Sequence, residues 1–102
     1  MLMTLMVVPT RDHAQRPFSP QDFRALEERL RTFGGFQVIH GVYGEWATPE
    51  GRVYPDESRI YRTELPVQRL PEWLAVVAWA RRHFRQEEMW VEIHGQGTVR
   101  GP

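Results

Sequence analysis

The chain has 102 residues, 41% hydrophobic and 25% charged, which is enough for one core and too apolar for a disordered segment. Thirteen basic and thirteen acidic residues cancel to zero formal net charge, so no global field draws the protein to phosphate backbones or anionic lipid, and nucleic acid is disfavoured as a partner. Cysteine is absent, which excludes disulfides, thiolate nucleophiles and cysteine-held metals; every basic residue is arginine, a bias that fits a GC-rich genome, a thermophilic habitat or both.

In chain order, Leu2 to Val8 is a short apolar run of the kind that lies inside a sheet. The start MLMTLMVV lacks the basic region and small-residue cleavage site of a signal peptide, and Pro9 ends it far short of the ~20 apolar residues that span a bilayer. It reads as a strand in a cytoplasmic protein with no membrane partner. TRDHAQRPF is a polar loop. In SPQD, Ser19 is an N-cap, Pro20 the first helical residue and Asp22 the third, a helix start of the capping-box kind. Phe23, Leu26, Leu30 and Phe33 then mark one apolar stripe, and Gly34 and Gly35 end the helix.

Phe36 to Trp46 and Arg59 to Leu65 are dominated by β-branched and aromatic residues and read as the second and third strands. TPEG, Thr48 to Gly51, is a β-turn signature that makes this region a hairpin tip, and Pro55 with Asp56 predicts a bulge in the returning arm. A second helix is expected from near Leu70 and Pro71 to about Gln86, with Trp73, Val77, Ala80 and Phe84 as its buried stripe. Met89 to His94 reads as the last strand, with Met89, Val91 and Ile93 on one face and Trp90, Glu92 and His94 on the other. Residues 95–102 are expected as a flexible tail.

The order β-α-β-β-α-β predicts an α+β, ferredoxin-like sandwich over residues 1–94. Its four-stranded antiparallel sheet is ordered 4-1-3-2, with both helices on one face.

The stretches PFSPQDFRALEERL, GGFQVIHGVYGEW, GRVYPDES and HFRQEEMWVEI together resemble a small bacterial domain family of unknown function. Its members carry a glycine-rich run ending in tryptophan, then a glycine followed by Glu-Ser, then F-x-Q-E before the last strand. Gly35, Phe36, Val38, Gly41, Trp46, Gly51, Glu57, Ser58, Phe84, Gln86 and Glu87 match or nearly match that pattern, over about residues 17–94. The resemblance implies the fold and an importance for the hairpin. It carries no activity.

Gly41 and Gly44 inside a strand signal a bulge, a bend or a group lying against bare backbone, which leaves two readings: strong coiling of the strand, or a shallow floor walled by Tyr43, Trp46 and Tyr54 that suits a flat ligand or a partner's side chain. Their spacing is neither a dinucleotide nor a phosphate loop. Glu92 and His94 share a sheet face, and with His40 and Tyr61 they are candidates for proton transfer on a small organic substrate in a dimeric α+β barrel enzyme. Two ligands on one strand fall short of a metal site, so no metal and no cofactor is expected. Arg81 and Arg85, one helical turn apart, either hold an anion together or, like Arg59, Arg62 and Arg82, sit on a solvated face in reach of Glu64, Glu87 or Glu88. Trp79 falls off its helix stripe and Trp90 points away from the apolar side of its strand, which makes both candidates for a homodimer contact. The leading expectation is a non-enzymatic homodimer that binds a small molecule or protein through its open sheet face and the 41–58 hairpin; an RNA or DNA binder is the third class.

Overall fold

The computed structural model describes residues 1–95 and contains β1 (Leu2–Pro9), α1 (Pro20–Arg31), β2 (Gln37–Ala47), β3 (Val53–Leu65), a single 3-10 turn (Val67–Arg69), α2 (Leu70–His83) and β4 (Val91–Gly95). All strand pairs are antiparallel and run in the order β2-β3-β1-β4, which is the expected arrangement read from its other edge. The chain therefore has the α+β sandwich its element order predicts. Gly95 belongs to β4, and the rest of the expected tail, residues 96–102, lies outside the described residues.

Helix α1 starts at the predicted cap. The Ser19 hydroxyl accepts the Asp22 amide N–H at 3.2 Å, and the Asp22 carboxylate accepts the Ser19 amide N–H at 2.8 Å, so two orphan donors of the first turn are satisfied reciprocally. The other Asp22 oxygen lies 2.8 Å from His83 Nε2, which ties the start of α1 to the end of α2. Burial raises the Asp22 carboxyl, but the Ser19 amide and hydroxyl and the His83 ring outweigh it and hold the group below its ordinary value.

Both helices pack on one sheet face. Phe23, Leu26 and Leu30 from α1 meet Trp73 and Ala80 from α2, with Phe84 just beyond it, over Met6, Val8, Tyr61 and Leu65 of the two central strands. Phe18 closes one end, its ring 4.9 Å from that of Phe84 and 6.5 Å from that of Phe23, both edge-on. Thr4 donates its hydroxyl to the Thr63 carbonyl at 2.8 Å, so its burial between the central strands is compensated.

β3 begins at Val53 rather than Arg59, so the pairing expected at the hairpin tip runs unbroken into the sheet. Thr48 to Gly51 forms the turn: the Gly51 N–H reaches the Thr48 carbonyl at 2.9 Å, and Gly51 has a φ of 85°. The bulge forms at one of the two signalled places, the glycines of the second strand, and not at Pro55 and Asp56. It falls in β2 at His40 and Gly41, where the register shifts between Ile39 and Val42 and Gly41 takes a φ of 65°. Pro55 instead pairs with Glu45 in an unbroken β3. Strand β1 ends at Pro9 opposite Ser58, so β3 has a neighbour on one side only at Pro55, and a missing N–H is tolerated there.

Two measurements check this account. Gly41→Ala should destabilise by about 1–2 kcal/mol, the left-handed penalty of a residue with a Cβ, whereas Gly44→Ala, on extended backbone with nothing within 4 Å of the added carbon, should be neutral or slightly stabilising. Chemical denaturation of the two variants compares them directly. For Asp22 the folded pKa is depressed, so its contribution is complete above the unfolded carboxyl value of 3.8 and is lost as pH falls through the folded value. Asp22→Asn should melt below wild type at neutral pH, and the gap should close under acid conditions, below about pH 4.

Candidate functional site

The register assigns the uncovered sheet face. Met3, Leu5 and Val7 of β1 point there with Ile60 and Arg62 of β3, Gln37 and Ile39 of β2, and Glu92 and His94 of β4. Trp90 precedes β4 and sits beside Val7, whose N–H reaches the Trp90 carbonyl at 3.0 Å. Its indole N–H donates to Glu92 Oε2 at 3.1 Å, while Glu92 Oε1 lies 3.0 Å from His94 Nε2. His94 first, and Trp90 after it, hold the Glu92 carboxyl below its ordinary value. Trp90 and Ile39 stand 60% and 56% exposed on this face.

Past the bulge the same face continues along the hairpin. Val42, Gly44 and Trp46 lie opposite Ser58, Asp56 and Tyr54, and the Trp46 indole N–H donates to Asp56 Oδ2 at 3.2 Å. Tyr43 does not join them. It turns to the reverse face opposite Glu57 and donates its hydroxyl to Glu45 Oε1 at 2.7 Å. The floor walled by Tyr43, Trp46 and Tyr54 is thus split between two faces, because side chains alternate along a strand and the bulge precedes all three. Trp46 and Tyr54 form a cross-strand pair on one side; Tyr43 stands behind it.

The proton-transfer candidates are dispersed. His40 lies on the β2 edge and His94 on the β4 edge, three inter-strand steps or roughly 14 Å apart across the sheet and offset by about four to five residues along it. Tyr61 is buried on the helix side, where its hydroxyl donates to Glu27 Oε2 at 2.7 Å; burial first, then Glu27, raises its pKa above the ordinary phenol value. Only Glu92 and His94 are brought together. Among the described residues no group of three His, Cys, Asp or Glu is placed to hold a metal ion.

Two expectations from α2 change in the same way. Trp79 lies in the helix layer, under the Arg29 guanidinium at 3.7 Å and stacked on His83 at 4.6 Å, so its place off the stripe is explained by α1 and it is remote from the open face. Helix α2 ends at His83, earlier than Gln86, and Arg85 turns away with a φ of 53°. Arg81 donates to the Gln86 and Glu87 carbonyls and Arg85 reaches Asp12 at 3.8 Å, so the two do not converge on an anion.

A feature with no distinct signal in the sequence is a cleft of about 290 Å3 on the helix side, where α1 stops covering the sheet. The bulge residues His40 and Gly41, with Glu57 and Arg59 of β3, form its floor, and Phe18 and Phe23 stand along one wall. A shallower, open depression of about 560 Å3 lies by Gly34, Gly35 and Arg62 at the start of β2. In the sequence Arg59 is one solvated arginine among several; its place beside the bulge follows only from the pairing of β2 with β3.

No protein-family model matches the chain, and no curated protein matches it. Among solved structures, the divalent cation tolerance protein CutA1 from Thermus thermophilus aligns with a TM-score of 0.66 at 12% identity, covering 98% of this chain and 88% of that one. A phage SAM lyase in complex with S-methyl-5'-thioadenosine aligns with a TM-score of 0.67 at 15% identity, covering 98% and 84%. CutA1 from Oryza sativa aligns with 0.62 at 13% identity, covering 96% and 82%. At such identities the likeness speaks to the fold alone, and the chain shares the α+β sandwich of these proteins over most of the length of each.

Proposed function

We propose that the chain is a homodimeric binding module: a second copy covers the open sheet face, and the distal hairpin presents a surface for a protein partner or a small ligand. One observation carries the reading. Ile39, Trp46, Tyr54 and Trp90, each at least 50% exposed, all stand on the same side of one sheet. Aromatic side chains grouped in this way are what interfaces enrich. The face also carries both signs of charge, with Glu64 and Glu92 beside Arg62 and His94, so two copies related by a twofold axis can match acid to base. Strand β3 runs roughly 43 Å at ~3.3 Å per residue, which supplies length for the ~800 Å2 per partner of a standard interface.

The ligand part of the reading draws support from fold analogy: one neighbour is a divalent cation tolerance protein, and another is a lyase holding S-methyl-5'-thioadenosine. Membership of the small bacterial family is part of the same proposal, since Gly41, Trp46, Gly51, Glu57 and Ser58 all lie on the hairpin or its turn. A cytoplasmic setting is proposed with it. Among the described residues no helix is long and apolar enough to cross a membrane.

Sedimentation tests the dimer. Wild-type protein at about 50 μM should sediment as a dimer, and Trp90→Glu should be monomeric with an unchanged far-ultraviolet spectrum, because it places a charge in an apolar contact. A monomeric wild type at that concentration overturns the reading.

A further inference from the structure

We infer that the cleft beside the His40–Gly41 bulge is a binding site for a small organic oxyanion, a carboxylate or phosphate joined to a flat apolar body, with Arg59 as its anchor. The site lies on the helix side of the sheet and stands independently of self-association through the open face.

Arg59 is held but only partly used. Its guanidinium lies over the Phe23 ring at 3.8 Å, and its polar contacts among the described residues both run through Nη1: 3.4 Å to the Tyr61 hydroxyl and 3.6 Å to Glu27 Oε2. Nε and Nη2 have no acceptor among the described residues, although the side chain is only 23% exposed. Both nitrogens of this edge reach solvent, so it faces outward and is open to an acceptor. That edge is the one that grips a carboxylate or phosphate through two parallel N–H bonds. Tyr61 and Glu27 hold the fork in place beforehand, so little side-chain entropy is lost on binding.

The rest of the cleft selects the ligand's body. Arg11, steadied by a 3.0 Å bond from Nη1 to the Gln15 carbonyl, stands on the rim and favours negative charge, and His40 lines the cleft with a ring nitrogen to offer. Phe18, only partly buried, offers apolar ring surface and is itself braced on Phe84, while the buried Phe23 lies beneath the Arg59 guanidinium. Glu57 also lines the cleft, which disfavours a bare dianion there and favours a ligand that carries an N–H or ammonium donor beside its acid group. A volume of about 290 Å3 suits a molecule the size of an aromatic amino acid.

Nuclear magnetic resonance of the wild-type chain reads this directly through the Arg59 Nε–H and Gly41 amide signals. Titration with L-phenylalanine, phenyl phosphate or inorganic phosphate, each to about 10 mM, spans dissociation constants down from the millimolar range. At least one ring-bearing probe should move both signals saturably, and inorganic phosphate should bind about tenfold more weakly for want of ring contacts. Arg59→Gln should weaken the ring-bearing probe about tenfold or more. Phe18→Ala, which leaves the contacts of Arg59 intact, should weaken the same probe while sparing inorganic phosphate, and it serves should Arg59→Gln fail to fold. The site is overturned if neither ring-bearing probe shifts Arg59, or if folded Arg59→Gln binds as wild type does. Equal affinity for inorganic phosphate and phenyl phosphate overturns the flat apolar body.

Discussion

Helices of 12 and 14 residues rise only about 18–21 Å at ~1.5 Å per residue, whereas the 13 residues of β3 extend about 43 Å. Two helices on one face of this sheet therefore cover only the half of β3 that also pairs with β1. The core forms there, around Tyr61, Met6 and Leu26, and the hairpin runs on past it with its aromatic side chains bare. At the boundary β2 bulges at His40 and Gly41, and the cleft opens where α1 and the 10–18 loop leave the strands. The exposed hairpin and the cleft are two consequences of one mismatch in length.

Arginine handles much of the remaining apolar surface. Guanidinium groups lie over Trp79, Phe36, Phe23 and Phe33, contributed by Arg29, Arg31, Arg59 and Arg69. A planar, weakly hydrated cation covers an aromatic ring with its face while its edge stays free to bond, which a compact ammonium cannot do. Arg69 shows both uses, stacked on Phe33 while its fork reaches Glu72 at 2.8 Å and the Thr32 carbonyl at 2.8 Å. Arg59 stacks in the same way, and only its Nη1 meets a partner among the described residues. An all-arginine chain with zero net charge is thus a matter of packing as well as of charge.

Likeness to CutA1 proteins and to a phage lyase at 12–15% identity shows how little sequence this sandwich requires. Alternating apolar residues on the two central strands and one stripe on each helix suffice to specify it, while the open face, the hairpin and the loop edges are left free to differ. What the chain recognises must therefore be argued from Trp90, Trp46 and Arg59, residues outside the shared core.

Sequence alone determined the features that arise within a few residues. The Ser19–Asp22 capping box, the Phe23–Leu26–Leu30 stripe, the Thr48–Gly51 turn and the alternation of Trp90 with Val91 all follow from local hydrogen bonding or from the period of a helix or strand. Strand order followed as well, because right-handed crossovers and a hairpin leave few ways to join six elements. Tertiary structure alone decided where strands far apart in the chain slip against one another and what lies over each side chain. A bulge is a property of a pair of strands, so the glycines of β2 and Pro55 each signalled one and only the pairing chose Gly41. Trp79 looked exposed because the residue that covers it, Arg29, lies on the other helix. Arg59 looked like any surface arginine until pairing set it on Phe23 beside a cleft, since a side chain's partners are chosen by the folded path of the chain and not by its neighbours in sequence.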